Sequence, residues 1–181
     1  MRGFIKNIPN ILTILRIFLI PVLVISFYFD GKMSSYMSAG IFIFASITDY
    51  VDGLLARYWK VQTNFGRMLD PIADKMLVAS TLLMLVNRNM APVIPIVIIL
   101  CREIFISGMR EYLASIQKNV PVRFVGKLKT AIQMIAIIIL LLGNEILGKY
   151  AETLGLTSLW IAAILTLISG FFYFAEGLKH L

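Results

Sequence analysis

Four aspartates in this chain are spaced in pairs that could do chemistry together. Asp49 and Asp52 are three residues apart, and Asp70 and Asp74 are four residues apart. In a helix, both spacings place the two side chains on one face. Two neighbouring helices could therefore direct four carboxylates to one point. Like charges about 4 Å apart repel by roughly 4 kcal/mol at an effective dielectric of about 20, so we expect a bound cation between them.

The ligand types narrow the choice of metal. The four aspartates offer only oxygen donors, and the single His180 and single Cys101 lie elsewhere in the sequence. Hard oxygen ligands suit Mg²⁺ or Mn²⁺ better than a structural zinc. Two such ions could hold a phosphoryl group between its attacking and leaving oxygens. The alternative is that the acids are polar contacts between helices or charges at helix ends.

The composition indicates that lipid surrounds the elements that carry these acids. The chain has 181 residues, of which 59% are hydrophobic and 15% are charged. Soluble domains are about 45–50% apolar and about 25% charged, and a fold this small could not bury so much apolar surface. We predict an all-α polytopic membrane protein with one domain over residues 1–181 and a short interfacial helix at residues 1–9. Its six transmembrane spans are predicted at about 11–29, 36–56, 70–86, 91–108, 125–142 and 154–174.

The basic residues predict how these spans are oriented. The net charge is +7, but the lysines and arginines lie between apolar runs, which favours anionic phosphate ligands over nucleic acid. Six spans put both termini on one side, where most of the basic residues also fall. The opposite side receives Lys32, Arg88 and Lys149. The positive-inside rule then places the termini and the acidic cluster on the cytoplasmic side.

The acids belong to a longer pattern with fixed spacing. Asp-x2-Asp-Gly-x2-Ala-Arg-x8-Gly-x3-Asp-x3-Asp is met in full by Asp49, Asp52, Gly53, Ala56, Arg57, Gly66, Asp70 and Asp74. This pattern resembles the signature of the CDP-alcohol phosphotransferases, and the six-span layout extends the resemblance over nearly the whole chain. The resemblance implies a displacement at the phosphorus of a CDP-linked lipid, with release of CMP.

The resemblance also implies roles for the acids. Asp49, Asp52 and Asp70 would be the core ligands of two metal ions. Asp74 would contribute to the metal site and act as general base on the acceptor hydroxyl, which must lose a proton as it attacks. The enzyme class that follows is a metal-dependent phosphatidyltransferase.

Further residues of the pattern would bind the CDP-linked lipid. Gly53 and Ala56 are small enough to let the nucleotide approach, Gly66 belongs to the same set, and Arg57 can pair with the phosphates. The alternative for Gly53 and Ala56 is tight helix packing.

The opening of the first span also looks like that of the family. Asn10, Thr13 and Arg16 follow a three-residue spacing, share a face and could hydrogen-bond the nucleotide and its phosphates. The alternative here is a helix N-cap together with a buried polar contact.

A group of basic residues would bind the second substrate. Its members are predicted at or near the cytoplasmic ends of the third to fifth spans: Lys75, Arg102, Arg110, Arg123, Lys127 and Lys129. Such a group suits an acceptor that carries its own phosphate, although ordinary positive-inside charge would explain individual members. With the resemblance, it implies transfer from CDP-diacylglycerol to glycerol 3-phosphate. The resemblance by itself implies a homodimer. Inositol phosphate, serine and phosphatidylglycerol are the alternative acceptors.

Two other functional classes are weighed against this one. A cation-conducting transporter or channel would have ionisable residues through the depth of the bilayer, whereas here the acids gather at one face. A non-catalytic membrane scaffold would not require four carboxylates at paired helical spacings. The pattern therefore favours the enzyme.

Overall fold

The computed structural model describes residues 2–59, 64–118 and 124–179, and in this part of the chain every regular element is a helix. The six helices are α1 (Arg2–Ser26), α2 (Gly31–Trp59), α3 (Asn64–Asn87), α4 (Val93–Ser115), α5 (Phe124–Leu147) and α6 (Ala151–Leu178). The prediction of an all-α fold with six principal helices is confirmed.

The contacts within the chain divide it into two compact units, Met1–Leu85 and Val86–Leu181. In the first unit α1 packs on α2. Apolar side chains are buried on each helix of this unit, among them Leu23 on α1, Phe42 on α2 and Leu77 on α3. Because lipid tails are as apolar as leucine, close packing of such side chains, rather than their removal from water, is what holds membrane helices together.

In the second unit α6 is the central helix, since both α4 and α5 pack on it. Gly155 lets α5 approach closely, because a Cβ at this position would lie 2.7 Å from Leu140 Cδ2. The turn between α5 and α6 is closed by a reciprocal pair. The side-chain amide of Asn144 donates to Glu152 Oε2 at 3.0 Å, and the Glu152 backbone N–H donates to Asn144 Oδ1 at 3.0 Å.

Large apolar side chains point outward on every helix. Examples, one from each helix in chain order, are Phe18, Phe44, Leu83, Ile104, Ile135 and Phe171. Among the described residues, the helical segments Phe124–Asn144 and Ala151–Leu178 are each long and apolar enough to span a membrane. The segment Asn10–Ser26 is apolar but shorter. The outward apolar surface fits a lipid environment. The number of spans stays a prediction.

Two details of the predicted helices are wrong. Residues 2–9 do not form a separate interfacial helix, because α1 continues without a break from Arg2 to Ser26. Pro9 lacks a backbone N–H and so removes one helical hydrogen bond, but it does not end α1. In addition, α3 begins at Asn64, six residues before the predicted start of the third span at residue 70, and Pro71 lies inside the helix. Its missing N–H leaves the carbonyl of residue 67 without that helical partner.

Candidate active site

A buried arginine on α1 joins two of the four predicted acids. Arg16 Nη1 lies 3.0 Å from Asp49 Oδ1 on α2 and 2.5 Å from Asp74 Oδ1 on α3. The Arg16 side chain is fully buried, whereas both carboxylates are 41% exposed. One nitrogen therefore holds carboxylates from two helices, and their outer faces remain open to a ligand.

A second contact joins the same helices one turn away. The Thr13 hydroxyl donates to Asp70 Oδ1 at 2.5 Å, and Thr13 is fully buried. Thr13 and Arg16 are three residues apart on α1, and their partners Asp70 and Asp74 are four apart on α3. Because helical neighbours at these spacings share a face, the two pairs form side by side. Three of the four predicted acids are thus brought to one face of α1.

The alternative reading of the first-span residues is partly realised. Thr13 and Arg16 make buried polar contacts with the acids, as that alternative supposed. Asn10 is half-buried and lies well inside α1, so it is not an N-cap. Contact of these three residues with a nucleotide stays a prediction.

Several predicted residues of the pattern cannot be placed in the same detail. The side chains of Asp52, Ala56 and Arg57 lie outside the described part of the chain, although all three residues belong to α2. Gly53 is half-buried on α2 and Gly66 is buried near the start of α3. Their roles toward the CDP-linked lipid stay predictions.

The chemistry of the donor atoms suits a hard divalent cation. The carboxylate oxygens of Asp49, Asp70 and Asp74 are of the type that Mg²⁺ and Mn²⁺ prefer. Among the side chains that the structure describes, no three of the types His, Cys, Asp and Glu are grouped closely enough to hold a metal. Asp52, three residues from Asp49 on α2, is not among those described side chains. The complete ligand set therefore stays a prediction.

The predicted basic group is only partly brought together. In the second unit, Arg102 on α4 and Lys129 on α5 both donate to Glu103. Arg110 is more exposed and its guanidinium carbon lies 5.6 Å from the centre of the Tyr173 ring, a cation–π contact. Lys127 is exposed, Lys75 is half-buried on α3 in the first unit, and Arg123 lies outside the described residues.

Ser169 is a hydrogen-bond partner of Arg102 that was not predicted from the sequence. Its hydroxyl accepts a hydrogen bond from Arg102 Nη2 at 3.1 Å and donates to the Thr166 carbonyl at 3.1 Å. The signal in the sequence was a buried polar stretch, Thr166 and Ser169-Gly170, within an otherwise apolar helix. Small polar residues in such helices commonly serve packing, and spacing alone does not identify a partner 67 residues away.

The chain is similar to known proteins over most of its length. The model of the family described as CDP-alcohol phosphatidyltransferase matches residues 6–168. The chain is 45% identical to a CDP-diacylglycerol–glycerol-3-phosphate 3-phosphatidyltransferase of Rickettsia felis, with 97% of each chain covered. Proteins of the same name from Pectobacterium atrosepticum and Cereibacter sphaeroides are 42% and 36% identical, covering 92% and 97% of each chain respectively.

Proposed function

This chain belongs to the CDP-alcohol phosphatidyltransferase family, and we propose that it transfers the phosphatidyl group of CDP-diacylglycerol to glycerol 3-phosphate. The products are phosphatidylglycerol phosphate and CMP. The observation that carries the proposal is the convergence of Asp49, Asp70 and Asp74 on one face of α1, through Arg16 and Thr13. It supports a single reaction centre built from α1 and from α2 and α3, the two helices that carry the family pattern.

In the proposed reaction, Asp74 is the general base. Its carboxylate takes the proton of the attacking glycerol 3-phosphate hydroxyl, whose oxygen forms a bond to the phosphatidyl phosphorus. The bond between that phosphorus and the bridging pyrophosphate oxygen breaks, and CMP leaves with the electron pair. Arg16 orients the Asp74 carboxylate through the contact at 2.5 Å. Correct orientation of such a group supplies a large part of the rate.

Asp49, Asp52, Asp70 and Asp74 are the residues that would hold the divalent cations. When bound, Mg²⁺ or Mn²⁺ would neutralise charge on the pyrophosphate and on the departing CMP. The observation in favour is the oxygen-only donor set. The role of this chain in that step is to fix the carboxylates, and Thr13 does so for Asp70.

Arg102 and Lys129 are proposed to bind the phosphate of the acceptor. Both are cations held together in the second unit, and a guanidinium with an ammonium suits a phosphate group. Arg110, Lys75, Lys127 and Arg123 are proposed as further members of this group on sequence grounds.

The membrane layout completes the proposal. All six helices are proposed to cross the bilayer, with both termini and the aspartates on the cytoplasmic side. The outward apolar surface on each helix supports this layout, as does the excess of basic residues that the six predicted spans would put on one side. A reporter that works only in the cytoplasm should be active when fused after Leu181, and an inactive fusion would contradict this orientation.

The family resemblance further supports a homodimer. Mass measurement of the detergent-solubilised protein by light scattering should give twice the chain mass of 20.4 kDa after subtraction of the micelle. A mass equal to one chain at all concentrations would contradict this assembly.

The activity is tested with purified protein, CDP-diacylglycerol and a panel of acceptors. We expect CMP release with glycerol 3-phosphate, and much less with inositol phosphate, serine or phosphatidylglycerol. A chelator should stop the reaction, and excess Mg²⁺ or Mn²⁺ should restore it. Equal CMP release with another acceptor would contradict the proposed substrate, and full activity in chelator would contradict the metal.

A further inference from the structure

Two buried cations in the second unit share a single carboxylate oxygen. Arg102 Nη1, on α4, donates to Glu103 Oε1 at 3.1 Å, and Lys129 Nζ, on α5, donates to the same oxygen. The exposed fractions of the side chains are 13% for Arg102, 6% for Lys129 and 27% for Glu103. The shared carboxylate is therefore the most accessible member of this trio.

A third helix fixes Arg102 from another direction. Its Nη2 donates to Ser169 on α6, and its aliphatic part lies against Gly170, where a Cβ would be 3.0 Å from Arg102 Cγ. The arginine is thus held at both nitrogens of its fork and along its stem. Long cationic side chains lose about 2 kcal/mol of rotamer freedom when fixed, so these contacts preorganise the arginine before a ligand binds.

The trio of Arg102, Glu103 and Lys129 has an excess of positive charge and an excess of hydrogen-bond donors. Two cations face one carboxylate, and a buried charge without a partner is costly. An arginine has five N–H donors and a lysine ammonium has three. The described contacts use two donors of Arg102 and one of Lys129, and Arg102 Nε has no hydrogen-bond partner in the described part of the chain. An anion with several oxygens would satisfy both needs.

We propose that Glu103 is a positioning residue for the phosphate of the acceptor, an inference that rests on the proposed function. Arg102 and Lys129 carry like charges and come from different helices, so they would move apart without a common partner. Glu103 holds their nitrogens around one oxygen. With the two cations held close together, two oxygens of one phosphate can contact both of them. Glu103 remains bound to the two cations beside the phosphate.

The direction in which the KM for glycerol 3-phosphate changes when Glu103 is replaced distinguishes a positioning role from a purely electrostatic one. If only the local charge mattered, removal of the negative Glu103 would attract the phosphate more strongly and lower its KM. If Glu103 positions the cations, its removal lets them diverge and raises that KM. The substitution Glu103→Gln keeps the size of the side chain and removes its charge, so the resulting change in KM tells these two roles apart.

The experiment compares steady-state CMP release by wild type, Glu103→Gln, Glu103→Asp and Glu111→Gln. For Glu103→Gln we expect the KM for glycerol 3-phosphate to rise about tenfold, as for loss of one charge-assisted contact, with the KM for CDP-diacylglycerol within about twofold of wild type. Glu103→Asp should recover part of the loss. Glu111, an exposed glutamate on the same helix, provides the matched control and should leave both KM values unchanged.

A second variant covers the case in which Glu103→Gln does not purify as a folded protein. Ser169→Ala removes the other hydrogen bond to Arg102 and keeps the ion pairs, so it should raise the KM for glycerol 3-phosphate by about threefold. The proposal is overturned if the KM falls or stays constant in Glu103→Gln, or if both KM values and kcat change together, which would indicate a general structural role. With that variant unfolded, an unchanged KM in Ser169→Ala overturns it.

Failure of the proposed function would be visible separately. Wild type would then release no CMP in response to glycerol 3-phosphate, before any variant is compared. The same KM comparison would be made with whichever acceptor wild type uses. A rise confined to a phosphorylated acceptor would support the role of Glu103, and use of an acceptor without a phosphate would overturn it.

Discussion

Replacing Arg16 by methionine should destabilise the protein by about 3 kcal/mol. Charge-assisted contacts contribute about 1.5–3 kcal/mol each, and the described contacts of Arg16 include an ion pair with Asp49 and a hydrogen bond to Asp74. Their sum is an upper bound, because both carboxylates are 41% exposed and water can solvate them after the change. About half of that bound remains, close to the lower end of the 3–5 kcal/mol found when one partner of a buried ion pair is removed.

The assay is thermal unfolding in detergent, followed by tryptophan fluorescence. For a chain of this size each kcal/mol shifts Tm by about 2–4 °C, so the Tm of Arg16→Met should fall by about 6–12 °C in chelator. Arg16→Lys keeps the charge but lacks the planar fork, and it should recover about half of the loss. If divalent ions bind the same carboxylates as proposed, added Mg²⁺ should reduce the penalty, because the cation replaces part of the lost positive charge.

The control is Lys149→Met, at an exposed lysine in the turn before α6. Surface substitutions of this kind usually change stability by no more than about 0.5 kcal/mol, so its Tm should stay close to that of wild type. An Arg16→Met protein with the same Tm as the Lys149→Met protein would contradict this prediction, since the buried ion pairs would then contribute nothing measurable.

Three further predictions follow from single contacts. Asp74→Asn should lower kcat for CMP release at least about 100-fold, because an amide cannot take the acceptor proton, while gel filtration still shows a folded protein; retained turnover would exclude Asp74 as the base. Thr13→Val should lower Tm by about 2–4 °C through loss of the hydrogen bond to Asp70, whereas Thr13→Ser should not, and equal melting of the two variants would contradict that contact. Gly170→Ala should raise the KM for the acceptor about threefold, because the added Cβ displaces Arg102; unchanged kinetics would show that the arginine adapts freely.

The sequence was sufficient for those features that depend on local periodicity and composition. The prediction of a lipid environment follows from the excess of apolar residues, and the six helices follow from the length of the apolar runs. The shared faces of Asp49 and Asp52 and of Asp70 and Asp74 follow from the helical repeat, which no tertiary contact is needed to impose. The fixed spacing of the pattern was also enough to indicate the family that the comparisons then showed.

The partners of those residues were decided only by tertiary structure. Spacing put Thr13 and Arg16 on one face, but their contacts with Asp70 and Asp74 depend on how α1 and α3 are rotated and offset. The same holds for Glu103, whose sequence neighbour Arg102 was an evident partner while Lys129 on another helix was not. A 3.6-residue repeat fixes direction within one helix only. Which faces meet is settled by side-chain packing over the whole unit, and the sequence pattern contains no local signal for it.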